Sequence, residues 1–361
     1  MPMVKNIDSL KYFLNRFPTI DSGYDYSVNY HESAESNFSS LPTFVAEFFD
    51  CRIHTCPLLI TNDNHMITNH AWNLTHQRRN KPAKTHKLWD KWGDTVDVRL
   101  PVVSKTFNET YTYVWLPIDE ESVSNPWHVW IDMISKLRLI EKRWSTPFSK
   151  YVFVLPNSSK YFDRVARELF IDLKYMVMPR DQTWQFKHLI VPSLSNHKDG
   201  VITPHLAPWC RLLKKNIKPE SKNKRKIFIS REDAKTRKLL NSEKLLMALK
   251  GWETVTLEKL SIKDQIRCFS EASHIVSTHG AGLANLLWCE PGTKIIEIQD
   301  PAMIHKKVYP ILSHHLGLEH QLYLARAVPI KHSGQKPKGV KRLNDLIHLE
   351  VDVPDLIRHL E

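Results

Sequence analysis

The clearest pattern of apolar and polar positions lies in the C-terminal half of the chain. Short apolar runs with β-branched residues, at 274–276 and 294–298, are typical of buried strands. Between them, the apolar run at residues 283–288 predicts a helix, and the turn residues at 289–292 end it. This region therefore predicts a strand, a loop, a helix and a second strand in direct succession.

The same alternation of strands and helices extends back to residue 151. Strands are predicted at residues 151–155, 175–178, 188–191, 227–230 and 253–255, and helices at residues 161–170, 208–215, 242–249 and 262–272. Because strands that alternate with helices are typical of a parallel sheet, we predict an α/β fold with two Rossmann-like series. About the first 110 residues show no such order.

The length of the chain favours two domains. Its 361 residues exceed the ~250 to 300 that one hydrophobic core usually supports. We predict an N-terminal domain over residues 1–218, with an irregular N-terminal region, and a C-terminal domain over residues 219–330. Residues 331–361 are predicted to form a tail or helix that packs back on the N-terminal domain.

The composition is that of a globular protein and excludes a disordered chain, with 42% hydrophobic and 25% charged residues. No apolar run approaches the ~20 residues that span a bilayer, and the N-terminus lacks the apolar core of a signal peptide. We therefore expect a cytoplasmic protein. The cysteines are scattered without CxxC spacing, which predicts free thiols in a reducing compartment. These cysteines are Cys51, Cys56, Cys210, Cys268 and Cys289.

The net charge of +12 predicts an anionic partner. A nucleotide sugar, an acidic glycan, a phospholipid surface and a nucleic acid would all satisfy it, and charge alone does not choose between them. Residues 222–226, with the sequence KNKRK, are predicted to be an exposed interdomain linker, with contact to a membrane surface or acceptor as the alternative. No nucleic-acid-binding motif accompanies the charge, so no nucleic-acid partner is expected.

A glycine loop is the first candidate for chemistry. His279, Gly280, Ala281 and Gly282 stand between a predicted strand and a predicted helix, where small residues let a ligand approach the backbone. The free N–H groups and the dipole at the start of a helix attract an anion. A tight turn that serves packing alone is the alternative.

Two further groups of residues complement this loop. His128 and Asp132 are four residues apart on a predicted helix, where they could abstract a proton from a hydroxyl or simply brace the fold. Arg231 and Arg237 follow a predicted strand, and their guanidinium groups suit a diphosphate, although both could equally be surface residues. The helix carries an apolar stripe of Trp127, Trp130, Ile131, Ile134 and Leu137.

In combination, these motifs resemble glycosyltransferase family 61, which includes plant xylosyltransferases, animal O-GlcNAc transferases of the secretory pathway and bacterial capsule-associated enzymes. The resemblance covers residues 124–298 in patches. It is carried by Asn125 with His128 and Asp132, by the ISR…R…N series at 229–241, by Leu260, Ser261, Gln265 and Phe269 before Ala272, and by the HGAGL…N…PG…EI block at 279–298.

The resemblance implies a GT-B architecture, in which two Rossmann-like domains face each other across a cleft. It also implies inverting transfer from a nucleotide sugar, with UDP-xylose or UDP-GlcNAc as the expected type, to a glycan or glycolipid hydroxyl in surface polysaccharide or capsule synthesis. No metal and no cofactor are expected, and the sequence contains no Asp-x-Asp triplet. Peripheral contact with the anionic inner face of a membrane would accompany this function.

The resemblance also implies roles for individual residues. Asp132 would be the general base, with His128 orienting it or exchanging that role. His279, Gly280, Ala281 and Gly282 would hold the diphosphate, Arg231 and Arg237 would neutralise the leaving group, Glu297 would accept hydrogen bonds from ribose hydroxyls, and Asn285 would support the loop. The chain has Ser242 after Asn241 where the family often has glutamate, so the nucleotide base stays unassigned.

Two other functions remain open. A nucleotide-sugar epimerase could use the same two-domain architecture without an acceptor. A non-catalytic protein that binds a polyanion or a nucleic acid would explain the +12 charge without any chemistry.

Overall fold

The computed structural model describes residues 42–55, 58–65, 102–117, 123–156, 159–193, 206–215, 217, 224–232, 234–330 and 347–360, together with the backbone of short strands outside these ranges. The chain forms two compact units. Unit 1 comprises Met1–Asp25, Ser39–Lys198 and Ile202–Leu206, and unit 2 comprises Tyr26–Phe38, Asp199–Val201 and Ala207–Glu361.

The described strands up to residue 202 are short, apart from two long ones. They are β1 (Met3–Ile7), β2 (Thr19–Asp21), β3 (Asp25–His31), β4 (Ala34–Ser39), β5 (Thr43–His54), β6 (Leu58–Ile60), β7 (His65–Ile67), β8 (Trp89–Trp92), β9 (Thr95–Val98), β10 (Val103–Phe107), β11 (Thr112–Trp115), β12 (Tyr151–Leu155), β13 (Lys174–Val177), β14 (Thr183–Pro192), β15 (Asn196–His197) and β16 (Val201–Ile202).

Unit 1 contains one mixed sheet in the order β13-β12-β11-β14-β5-β6-β7-β1-β9-β8, with β10 paired to β14 and β2 to β5. The strands β13, β12, β11 and β14 are mutually parallel, whereas β5 runs antiparallel along β14. Helix α1 links β11 to β12 and consists of Pro126–His128, a π-helical stretch Val129–Ile134, and Ser135–Trp144. Helix α2 (Lys160–Leu169) links β12 to β13.

The remaining elements belong to unit 2. Its strands are β3 and β4, apart from their end residues Asp25 and Ser39, together with β17 (Arg225–Ile229), β18 (Glu253–Val255), β19 (Ala272–Thr278), β20 (Lys294–Gln299), β21 (Glu319–Leu324), β22 (Arg326–Pro329) and β23 (Ile347–Glu350). Its helices are α3 (Leu206–Lys214, from the last residue of unit 1 onward), α4 (Ser242–Ala248), α5 (Ile262–Glu271), α6 (Val308–Leu316) and α7 (Val353–Arg358). Short 3₁₀ helices cover Phe148–Lys150 in unit 1 and Leu257–Lys259, Ala281–Trp288 and Pro301–Met303 in unit 2.

The central sheet of unit 2 is parallel, in the order β18-β17-β19-β20-β21. Because β17 lies between β18 and β19, the order of the strands changes direction between β17 and β19. In open parallel sheets, ligands bind at the carboxyl ends of the strands at such a switch point. The sheet therefore places a candidate ligand site where β17 and β19 end.

The predicted α/β fold class is confirmed by these sheets and helices. Each strand and helix predicted between residues 151 and 298 has a counterpart at nearly the same position. One difference is that the helix predicted at 283–288 is a 3₁₀ helix, Ala281–Trp288. Among the described helices, none has the length and apolar character needed to cross a bilayer.

The C-terminal segment corrects one prediction. We expected residues 331–361 to pack on the N-terminal domain, but residues 347–360 belong to unit 2. Leu349 and Leu356 are fully buried there with Val276 and Ile298 of the parallel sheet, and this apolar face explains why the segment packs where it does. Residues 331–346 lie outside the described part of the chain.

The basic run at 222–226 is also only partly a linker. Residues 222 and 223 lie outside the described residues, but Arg225 opens β17. Its Nε donates to Glu253 Oε1 at 3.0 Å, and its Nη1 lies 3.6 Å from Glu271 Oε2. Arg225 is therefore neutralised by two carboxylates within unit 2, which differs from the exposed position that the sequence predicted.

Candidate functional site

Arg231 and the glycine loop lie at the carboxyl ends of adjacent strands in unit 2. Arg231 follows β17, and the loop of residues 279–282 follows β19. The N–H of Ser230 donates to Val255 O at 2.9 Å, and the N–H of His279 donates to Ile298 O at 2.8 Å. These backbone bonds fix both strand ends at the switch point.

Gly280 brings Arg231 onto the loop. A Cβ atom at Gly280 would lie 1.9 Å from Arg231 Nη1 and 2.8 Å from its Cζ, so the space of the missing side chain is filled by the guanidinium group. The backbone of Gly280 is extended, with φ of 178°, and any residue could adopt it. Glycine is therefore required here for the close approach of Arg231 and not for backbone conformation.

Arg237 supports the same loop from a strained position. Its φ of +58° lies in the left-handed region that a non-glycine residue rarely adopts. The backbone N–H donates to Ile347 O at 2.7 Å, and Nη1 donates to His279 O at 3.0 Å. The strained backbone is thus held by the C-terminal strand β23, and the guanidinium contacts the start of the glycine loop.

His279 belongs to a buried hydrogen-bond chain. Its Nδ1 bonds Glu297 Oε1 at less than the usual distance, and the second carboxylate oxygen, Oε2, lies 3.0 Å from His320 Nε2. Ser313 Oγ lies 2.8 Å from His320 Nδ1, and Gln299 Nε2 lies 3.2 Å from His279 Nδ1. The chain therefore runs from α6 through β21 and β20 to the glycine loop.

This geometry corrects the role expected for Glu297. We predicted that its carboxylate accepts hydrogen bonds from ribose hydroxyls. Glu297 instead has no exposed surface, and both oxygens are occupied by His279 and His320. The carboxylate is therefore not accessible to a ribose, and it contacts the glycine loop through the imidazole of His279.

Burial and neighbouring charges shift the pKa values of the residues in this hydrogen-bond chain. Burial raises the pKa of Glu297, but the charge and hydrogen bonds of His279 and His320 outweigh it and bring the pKa to about 2. Burial lowers the pKa of His279, against the opposing effect of Glu297. The arrangement corresponds to an ionised carboxylate that accepts N–H bonds from two imidazoles.

Asn285 is hydrogen-bonded to the glycine loop. Its buried Nδ2 donates to Gly282 O and to Gln265 Oε1, both at 3.1 Å. Gln265 in turn donates to Leu257 O at 2.9 Å. Ala281 and Gly282 open the 3₁₀ helix, whose first N–H groups have no acceptor within the helix and suit an anion.

Tyr309 is a contact of the loop that the sequence did not reveal. Its hydroxyl donates to Gly280 O at 2.6 Å, and its ring lies 5.1 Å from that of His279 in an edge-on arrangement. Burial raises the pKa of this hydroxyl, which keeps it a neutral donor. Tyr309 is on α6, where no spacing relative to the glycine loop could have indicated it.

The acceptor-side candidates lie in unit 1 at the start of α1. Asn125 caps the helix, because its side chain accepts from the N–H of Trp127 at 3.0 Å. His128 Nδ1 lies 2.6 Å from Asp132 Oδ2, and Asp132 is within the π-helical stretch, a feature frequent at functional sites. The His128 side chain is 22% exposed and that of Asp132 only 3%, so the imidazole is the accessible member of the pair.

Lys136 is a third member of this face that the sequence analysis missed. Its side chain is fully buried, and Nζ donates to Pro117 O at 2.8 Å. Burial lowers the pKa of Lys136 to about 8, although the charge of Asp132 acts in the opposite direction. The four-residue spacing of His128, Asp132 and Lys136 was a signal that could have found it.

The expectation of free thiols can be compared with the described residues. Four cysteines, Cys51, Cys210, Cys268 and Cys289, are buried free thiols, whereas Cys56 lies outside the described part. Within the residues described, no group of three or more His, Cys, Asp and Glu side chains is arranged to hold a metal ion.

Comparisons with known proteins agree with the motifs. The model of the family Glycosyltransferase 61 matches residues 127–296, which include His128, Asp132, both arginines and the glycine loop. The chain is also 28% identical over 141 residues to a beta-1,2-xylosyltransferase of Oryza sativa subsp. japonica. That alignment covers 34% of this chain and 24% of the relative, so the chain matches about a quarter of the length of that protein.

Proposed function

We propose that this chain, whose residues 127–296 match the model of glycosyltransferase family 61, transfers a sugar from a nucleotide-sugar donor to a hydroxyl group of a glycan acceptor. The packing of Arg231 on Gly280, at the switch point of a parallel sheet, is the observation that carries the proposal. It combines a guanidinium group, a close backbone approach and the start of a helix in one place. These are the groups that bind a diphosphate.

The proposed donor is a UDP-sugar of the xylose or GlcNAc type. Arg231, Arg237 and the N–H groups of residues 281 and 282 would neutralise the diphosphate, and we propose that they do so without a metal ion or cofactor. The relative from Oryza sativa is named a xylosyltransferase, which supports UDP-xylose as the first donor to test.

On the acceptor side we propose that His128 is the general base and Asp132 orients it. Of the two assignments that the resemblance allowed, we choose this one because the Asp132 carboxylate is buried and bonded to His128 Nδ1, whereas the imidazole is the more exposed group. As the base removes the hydroxyl proton, the acceptor oxygen bonds to the anomeric carbon. The bond from that carbon to the diphosphate oxygen breaks, and its electron pair leaves on the diphosphate.

Attack from the face opposite the leaving group inverts the anomeric centre, and it requires the base and the donor site to meet across a cleft. The proposal therefore includes a GT-B arrangement of units 1 and 2. It also includes a role in surface polysaccharide or capsule synthesis in the cytoplasm, where the net charge of +12 would favour contact with an anionic inner membrane face.

Thermal stabilisation tests the donor part directly. We expect one class among UDP-, GDP-, CMP- and TDP-sugars, the UDP class, to raise Tm in the presence of EDTA, since a ligand that binds the folded state stabilises it. Arg231→Ala should abolish the shift. Arg211→Ala, which removes the same charge from an exposed position on α3, should not.

The alternatives give different outcomes. Isomerisation of the donor without an acceptor would indicate an epimerase. If no nucleotide sugar changes Tm and the protein binds DNA with a steep dependence on salt, the transferase proposal is wrong and the polyanion-binding function replaces it.

A further inference from the structure

The chain of hydrogen bonds behind the glycine loop extends beyond the motifs. It leads from His279 through Glu297 to His320 on β21 and Ser313 on α6. The side chains of Glu297 and His320 are 0% and 4% exposed. The last three of these residues lie outside the segment that matches the family model, which ends at residue 296.

This hydrogen-bond chain determines which ring nitrogen of His279 can contact a ligand. Nδ1 is directed to Glu297, so only Nε2 is left. In a neutral imidazole whose Nδ1 carries the proton, Nε2 is an acceptor. A diphosphate offers only acceptor oxygens, so a hydrogen bond between the two requires a second proton on the ring.

The surroundings of His279 decide whether the ring can hold that proton. Glu297 on β20 favours it, whereas the positive charges of Arg237 and of Lys306 before α6 oppose it, and burial opposes it further. An arriving diphosphate would add negative charge and tip this balance. Glu297 can contribute only while it stays ionised, and the N–H of His320 helps to keep it so.

We propose that His320, acting through Glu297, is a positioning residue that prepares His279 to take up one proton and donate Nε2–H to the diphosphate of the donor. This inference rests on the proposed nucleotide-sugar site. The proton comes from solvent when the donor binds and stays on His279, which neutralises part of the charge on the leaving diphosphate. Ser313 fixes the tautomer of His320 by bonding its Nδ1.

Calorimetry of UDP-xylose binding at pH 7.5, in two buffers with different ionisation enthalpies, measures the protons taken up. The diphosphate of a nucleotide sugar has no group that titrates near neutral pH, so the uptake belongs to the protein. We expect close to one proton per donor bound for the unaltered protein. In His320→Leu, uptake should fall towards zero and Kd should rise at least tenfold.

Two variants separate positioning from structure. His320→Gln keeps an N–H donor near the position of Nε2 and should restore uptake and affinity. His274→Leu removes a histidine near the opposite end of β19, where its Nδ1 lies 3.0 Å from Ser273 Oγ, and should behave like the unaltered protein. If His320→Leu does not fold, Ser313→Ala removes only the outermost bond and should give a smaller loss in the same direction.

The outcomes are distinguishable from failure of the proposed function. If the unaltered protein binds no UDP-sugar, the donor site itself is wrong. If it binds UDP-xylose and the folded His320→Leu or Ser313→Ala variant retains full proton uptake and affinity, the positioning role is overturned.

Discussion

Individual residues in the donor-side site depend on partners distant in sequence. Arg231 occupies the space left by Gly280, and Glu297 is enclosed by imidazoles from two other parts of the chain. Local spacing placed Arg231 and His279 at the ends of strands, as the structure does. It could not show that His320 and His279 both reach Glu297, because contacts between distant residues leave no mark in local periodicity.

A test at this scale is Gly280→Ala. The added methyl group would contact the far end of a flexible arginine, so the protein should fold with nearly unchanged Tm while Arg231 is displaced. Since a hydrogen bond to a charged group contributes about 1.5–3 kcal/mol, the Kd for a UDP-sugar should rise about tenfold or more.

The control is a double-mutant cycle measured by calorimetry. In an Arg231→Ala background, Gly280→Ala should have almost no further effect on Kd, because both changes remove the same interaction. If the losses of affinity from the two substitutions are additive, Gly280 is required for the backbone conformation and not for the contact with Arg231.

Helix α1 is the element whose character was predicted most completely. The apolar stripe is buried as expected, with Trp130 and Leu137 almost inaccessible. The sequence did not indicate that Val129–Ile134 is π-helical, since propensities do not separate π from α turns. Nor did it indicate that Lys136 is buried, because a lysine beside an apolar stripe usually directs its charge to water.

Lys136→Met tests what the buried ammonium contributes. Replacing a buried charge with an apolar side chain of similar length should leave Tm unchanged or raise it. Transfer should nevertheless slow about tenfold in kcat, because the Asp132 carboxylate that orients the proposed base loses a neighbouring positive charge.

Lys136→Met should also shift the pH dependence of transfer. Loss of a positive charge favours the protonated state of the His128–Asp132 pair, so the acid limb of the kcat/KM profile should move to higher pH. Lys142→Met, an exposed position on the same helix, should change neither the rate nor the profile. If Lys136→Met leaves kcat and the pH profile of kcat/KM unchanged, the lysine contributes to folding alone.

At the scale of the whole molecule, the two units were predictable to different degrees. The parallel sheet of unit 2 follows from the alternation of apolar runs and helices, because buried parallel strands are continuous apolar segments. Much of the sheet of unit 1 comes from short strands in the first 110 or so residues. Some of these strands pair in parallel, as β1 with β7, and others pair antiparallel, as β1 with β9. Such pairing is set by distant partners and left no legible order in the sequence.

Stability of the molecule should fall in weak acid. Burial lowers the pKa of His315 on α6 from 6.5 to about 4. The unfolded chain therefore binds more protons between about pH 6.5 and pH 4, and the free energy of unfolding declines across that window, by about 2 to 3 kcal/mol for this group. Glu297, with its lowered pKa, stabilises the fold fully above pH 4.5, and this contribution is lost progressively as the pH falls from 4.5 to about 2.

Thermal unfolding between pH 7.5 and pH 4 checks this expectation. Tm should decrease as the pH falls below 6.5, and the decrease should be smaller in His315→Gln, which cannot titrate in this range. Equal slopes in the two proteins would mean that other groups control acid sensitivity.

The contact between Arg237 and Ile347 has a practical meaning for anyone who shortens or fuses this protein. The match to the family model ends at residue 296, yet the backbone that presents Arg237 is bonded to strand β23, some fifty residues later. A version trimmed just after the last motif, at residue 298, would keep each motif and lose the brace that holds one of its arginines. Strand β23 thus braces one of the two arginines proposed to hold the diphosphate, and an affinity tag is better attached at the other end.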